Sequence, residues 1–219
     1  MASMSLLTGG KIVRLILVFA IAATVIFVAQ NAPALFASIR YSIDSQETVE
    51  RNRMPLVGPV LLPVATTTPY LLPNTATLYI EKIGLEVPIV FGINENDFDA
   101  MYNRLNEGVV HFSGTPKPGE KGTAVMIGHS SDYVWKKNPY GTAFALLSRL
   151  KPGDKFTIRY AGGATFLFTM RQSMVYDPKK DDESKLKSLE DISGASVLLM
   201  TCWPINSTSQ RFIVQGVMG

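Results

Sequence analysis

The chain has one cysteine, Cys202, at the end of the run Val197-Leu198-Leu199-Met200-Thr201-Cys202-Trp203-Pro204. A thiol becomes a covalent catalyst when a neighbouring base manages its proton. One thiol cannot staple its own chain, so in an exported protein it is a free reactive group or half of an intermolecular bridge. The bland alternative is a small buried apolar residue, a common fate of free cysteine. Two imidazoles are available as its partner, His111 and His129. His129 follows the apolar run Ala124-Val125-Met126-Ile127 and Gly128, so it too stands at a strand end. His111 lies within Val109-Val110-His111-Phe112, where a structural hydrogen-bonding role is the simpler reading. Arg211 opens the next apolar run after the loop from Trp203 to Gln210. A hairpin across that loop sets Arg211 beside Cys202, and its fork of donors suits a carbonyl oxygen or a developing oxyanion. As a plain surface strand residue it needs no such role. Spacing alone leaves all of these readings open.

The elements that must position these groups are mostly strands. Thr77–Ile80 and Val87–Val90 flank a turn at Gly84, followed by Val109–Phe112, Ala124–Ile127, Phe156–Tyr160, Thr165–Val175, Val197–Cys202 and Arg211–Val217. Short β-type runs between Gly, Pro, Asn and Asp punctuation mark strands and turns. Helix is expected at Asn96–Asn103, with Asn96 or Asp97 as N-cap, in an amphipathic segment Thr142–Leu150, and as one turn near Ser184–Leu189. About eight strands with minor helix predict a mainly β, closed barrel rather than a βαβ array. No internal repeat is visible.

The 219 residues give room for one membrane segment and one ordinary globular domain. A net charge of +3 without a dense Lys/Arg block gives no sign of a nucleic-acid partner. No residue from Leu15 to Ile39 is charged, and Lys11 and Arg14 precede the stretch. Residues 15–39 are long enough to span a bilayer as a tilted helix. The positive-inside rule keeps 1–14 in the cytoplasm and sends the remainder outside, a single-pass protein with an extracytoplasmic domain. A cleaved signal peptide is the rival, with Ala32, Ala34, Ala37 and Ser38 near a cleavage site. Its apolar core is usually only about 7–15 residues, which favours the uncleaved anchor. Residues 40–76, with Pro55, Pro59, Pro63, Pro69 and Pro73, read as an extended linker ahead of a domain at 77–219.

Several runs resemble one known family. Gly108-Val109-Val110-His111-Phe112-Ser113-Gly114-Thr115-Pro116-Lys117-Pro118-Gly119-Glu120-Lys121-Gly122, then Val125-Met126-Ile127-Gly128-His129-Ser130, is similar to the histidine region of sortases. Thr201-Cys202 after an aliphatic strand resembles the family's cysteine signature, and Arg211 falls where its arginine is expected. Leu78-Tyr79-Ile80-Glu81-Lys82-Ile83-Gly84-Leu85-Glu86-Val87-Pro88-Ile89 resembles the opening strand pair. Leu199 and Met200 depart from the residues usual before Thr-Cys, a difference of packing rather than chemistry.

The resemblance implies a sortase-type barrel carrying a membrane-anchored cysteine transpeptidase. Cys202 would attack the threonine carbonyl of a Leu-Pro-x-Thr-Gly-like sorting signal. His129 would serve as general acid and base, and Arg211 would hold the carbonyl or oxyanion with Thr201 helping to bind substrate. The implied partners are surface proteins bearing a C-terminal sorting signal and a cell-wall precursor or pilin amine. No organic cofactor is implied, and no acidic cluster suggests the calcium site of some relatives. Substrate choice is expected in the loops Tyr176–Gly194 and Trp203–Gln210. Subclass stays open, a class D-like assignment included. Two other readings remain: a hydrolytic cysteine peptidase, and a non-catalytic wall-facing binding domain. Leu72-Pro73-Asn74-Thr75-Ala76 itself resembles a sorting signal with Ala in place of Gly, which suggests a pseudosubstrate, a shedding site, or chance in a Leu/Pro/Thr-rich linker.

Overall fold

The computed structural model describes residues 13–14, 16–26, 28, 72–94, 96–132, 136–190 and 193–219. Residues 13–14, 16–26 and 28 are helical and exposed. Within them Thr24 Oγ1 donates to the Ala20 carbonyl at 2.8 Å, so its hydroxyl is satisfied by the helix itself. Among the described residues no helix is long and apolar enough to cross a membrane. The rest of the expected span, 29–39, and the linker up to residue 71 lie outside the described residues.

Eight strands form a closed barrel: β1 Ala76–Ile80, β2 Leu85–Ile93, β3 Val109–Phe112, β4 Gly122–Ile127, β5 Lys155–Tyr160, β6 Thr165–Tyr176, β7 Ala195–Trp203 and β8 Gln210–Met218. Around the barrel the order is β1-β2-β3-β4-β7-β8-β6-β5. Closure leaves no unpaired edge, as the barrel expectation required. The β1–β2 connection is a single 3-10 turn, Glu81–Ile83, ended by Gly84 at φ +61°, a left-handed conformation that glycine adopts without steric cost.

Strand alternation builds the core. β1 turns Ala76, Leu78 and Ile80 inward, and β5 turns Phe156, Ile158 and Tyr160 inward. Inside, Phe156 stacks on Phe168 with ring centroids 5.4 Å apart. β7 breaks the alternation, because Ala195 through Leu199 are all buried. Its outer face is covered as well: Leu198 packs with Ile213, Tyr176 and Leu189 in a second cluster beside the short helix Ser184–Lys187. That double burial explains why the run reads as continuous apolar sequence.

Two connections differ in outcome. Helix Phe98–Arg104 forms where expected, with the Asp97 side chain accepting from Ala100 N at 2.8 Å. The amphipathic helix expected over Thr142–Leu150 does not form. Phe144, Ala145, Leu146 and Leu147 are all buried in succession, which one apolar helical stripe cannot achieve. The segment instead coils tightly, with Ala145 N bonding Thr142 O, Leu147 N bonding Phe144 O and Leu150 N bonding Leu147 O, and only Leu147–Arg149 is a 3-10 helix.

Residues 72–76, read from sequence as the end of the linker, belong to the barrel. Leu72 is 6% exposed within the core cluster, and Ala76 pairs with both Ile89 and Tyr160. The Leu72 carbonyl also accepts from Lys117 Nζ.

Candidate active site

β4 and β7 run parallel in register, with Ile127 opposite Met200. The pairing continues past β4, where Gly128 N donates to Met200 O at 3.0 Å and Thr201 Oγ1 donates to Gly128 O at 2.8 Å. Extending this register two places past Ile127–Met200 sets His129, beyond the end of β4, against Cys202, which is still within β7. β7 and β8 run antiparallel, with Cys202 directly opposite Arg211. Side chains so paired share a face with Cβ atoms about 5 Å apart. The cysteine, the histidine and the arginine are thus gathered at one end of the barrel by two strand registers. His111 is not among them. It is 4% exposed on β3, its ring 5.2 Å from Phe91 and its Nε2 2.8 Å from the Pro116 carbonyl.

Close packing holds the His129 corner. A Cβ on Gly128 would come within 2.6 Å of the Phe144 ring, which is 1% exposed, so only glycine fits this approach. Phe144 N in turn donates to His129 O at 2.8 Å. Ser131 Oγ accepts from Asn206 N at 3.1 Å, tying the segment after His129 to the β7–β8 loop. Tyr102, on helix Phe98–Arg104, meets the His129 ring edge-on at 5.7 Å. The imidazole is half-buried, and burial lowers its proton affinity below the ordinary 6.5; Asp132 partly opposes this and Lys136 adds to it.

Cys202 is a free, partly exposed thiol. Beside it Arg211 Nη1 donates to the Thr208 and Gln210 carbonyls, each at 2.9 Å. These bonds draw the guanidinium against the β7–β8 loop, while the planar fork has further donors at the same rim. Trp203 packs on Phe212 at 5.3 Å and closes this side. Thr201, expected next to the substrate, is 2% exposed with its hydroxyl committed to Gly128 O; here it fastens the two strand ends together. Among the described residues no three His, Cys, Asp or Glu side chains gather as a metal set.

The segment Leu72–Ala76 stands apart from this corner. Ala76 pairs with Tyr160 at the end where β6 begins, next to the Arg159–Thr165 pair, whereas Arg211 pairs with Tyr176, where β6 ends. With its leucine buried and its alanine in the β-ladder, this piece serves as barrel framework, not as a peptide laid across Cys202. Tyr102 is the residue that sequence reasoning missed. Its only signal is a second aromatic one turn after Phe98 on a capped helix.

Comparison with known proteins places the barrel among known folds. The sortase domain family profile matches residues 78–218. The fold is similar to a lid mutant of sortase A from Corynebacterium diphtheriae, 25% identical, with a TM-score of 0.54 over 68% of this chain and 72% of that one. Sortase C1 of GBS Pilus Island 1 is 27% identical with a TM-score of 0.51 over 66% of this chain, and the match spans 63% of that protein's length. Sortase C-1 from Actinomyces oris is likewise 27% identical, with a TM-score of 0.51 over 66% of this chain and 72% of that one. Curated protein sequences give no significant match. The chain belongs to the sortase family of cysteine transpeptidases.

Proposed function

We propose that this protein is a membrane-anchored sortase that cleaves a Leu-Pro-x-Thr-Gly- or Leu-Pro-x-Thr-Ala-like sorting signal after Thr and joins the new end to an amine. The observation that carries the reading is the Cys202–Arg211 pair with His129 level at the same barrel end. The uncharged stretch 15–39 behind Lys11 and Arg14 supports anchoring with the catalytic domain outside.

The Cys202 thiol passes its proton to His129 as the sulfur adds to the threonine carbonyl, forming a C–S bond and placing negative charge on the oxygen. Arg211 stabilises that oxyanion with a permanent charge and fixed donors. The C–N bond then breaks, and His129 gives its proton to the departing amine. A thioacyl-enzyme remains. His129, now neutral, takes a proton from the incoming amine as its nitrogen attacks; the C–S bond breaks and the leaving sulfur recovers that proton from His129, restoring the thiol and the neutral imidazole. Low proton affinity at a half-buried imidazole suits this second step, because the neutral form persists to lower pH. Natural acceptors of this kind are a cell-wall precursor amine or a pilin lysine.

The test is mass spectrometry on a peptide library holding both signal types, with and without added amine. Amide products formed in preference to acids support the transpeptidase. Acid alone, with amine present, replaces it with a hydrolytic cysteine peptidase. No turnover, with a Cys202→Ala variant indistinguishable from wild type, leaves only a wall-facing binding domain.

A further inference from the structure

The side chain that packs on His129 comes from an element the mechanism above does not use. Helix Phe98–Arg104 lays Tyr102 against the imidazole with ring planes 85° apart. Apolar burial does not explain why Tyr102 stays there, since it remains 48% exposed. Polar contacts do. Lys136 Nζ donates to the Tyr102 hydroxyl at 3.1 Å and lies 5.1 Å from the ring centroid. The same ammonium is 3.6 Å from Asp132 Oδ1, and Asn138 Nδ2 donates to Asp132 Oδ2 at 2.9 Å. Lys136 thus joins Tyr102 of the helix to Asp132, three residues beyond His129.

We propose that Tyr102 is a positioning residue for His129, its ring fixing the tilt of the imidazole and its hydroxyl linked through Lys136 to Asp132. The proposal rests on His129 being the acid and base of the reaction above. A histidine beyond the end of a strand has two free side-chain torsions, and proton transfer needs one nitrogen aimed within about 3 Å of the reacting atom. An edge-on aromatic contact restricts those torsions and keeps water from one side of the ring. The groups that bear on His129 are Tyr102 from the helix and the charges of Asp132 and Lys136 after β4. Asp132 favours the charged imidazole, while Lys136 and burial disfavour it. Removing the Tyr102 ring wets the imidazole, so its proton affinity rises.

The experiment is NMR titration of the two histidines, paired with steady-state kinetics, in wild type, Tyr102→Phe, Tyr102→Ala and Lys136→Met. His111, buried on β3, is the internal reference. In Tyr102→Ala the His129 signals shift and its midpoint moves up while His111 stays fixed. Its kcat falls about tenfold, a fraction of what positioned proton transfer supplies, with KM for the sorting peptide within about twofold of wild type. Tyr102→Phe keeps the ring and loses less; Lys136→Met releases the hydroxyl but also removes a charge that itself disfavours the imidazolium, so its reading is kcat, which falls as in Tyr102→Ala. A folded Tyr102→Ala with unchanged His129 signals and unchanged kcat overturns the proposal. If Tyr102→Ala does not fold, a folded Lys136→Met with unchanged kcat overturns it instead. Should wild type join no peptide to any amine, the assignment of His129 fails, and the titration alone still decides whether Tyr102 holds the ring.

Discussion

Thr201 Oγ1 donates to the Gly128 carbonyl at 2.8 Å in a buried position, joining the residue before Cys202 to the residue before His129. Thr201→Val keeps the shape but leaves that carbonyl without its side-chain donor. The expected cost is about 1–3 kcal/mol, the range for stranding a buried polar group. Activity falls as well, because the two strand ends are then joined only by the Gly128 N–Met200 O bond. Thr201→Ser restores the hydroxyl and most of both. Urea denaturation with kcat on the same three proteins checks this, and a fully active, fully stable Thr201→Val contradicts it.

Leu72 offers a second check. As part of the core at 6% exposure, its truncation in Leu72→Ala should cost about 2–5 kcal/mol, as for other buried leucines. Its turnover on an added sorting peptide should match wild type wherever both are folded. Sequencing the N-terminus of incubated protein should show no product starting at Ala76. Unchanged stability, or a clean cut before Ala76, would restore the self-substrate reading.

Stability should fall on mild acidification. Burial lowers the proton affinity of both His111 and His129 from the ordinary 6.5. The unfolded chain, with both histidines near 6.5, then binds protons more readily than the folded one, so stability rises with pH across this range. Urea midpoints should be lower at about pH 5.5 than at about pH 7.5, a window above most carboxylate titration. His111→Asn should remove part of the difference. A flat or inverted profile would contradict the burial of the two rings.

The strands were legible because alternation and turn residues mark them locally. Val197–Cys202 and Arg211–Val217 fall inside β7 and β8, and the hairpin between them predicts the Cys202–Arg211 pairing that the register displays. Other features depend on distant partners. Thr142–Leu150 has helical periodicity, yet four consecutive side chains are drawn into the core, and the coil tightens to satisfy them. Leu72 looks like linker until β1, Lys117 and the core give it a place. Tyr102 and Lys136 are 34 residues apart, so no local pattern announces that they meet beside His129.

In the proposed reaction the Cys202 sulfur carries the acyl group between donor and acceptor. Intact-protein mass spectrometry, quenched in acid shortly after mixing enzyme with a Leu-Pro-x-Thr-Gly or Leu-Pro-x-Thr-Ala peptide, reads this directly. The expected result is an adduct of the mass of the acyl fragment ending in Thr, mapped to Cys202, discharged as an amide when amine is added, and missing from Cys202→Ala. An adduct that persists in Cys202→Ala, or amide formed by that variant at the wild-type rate, would contradict it.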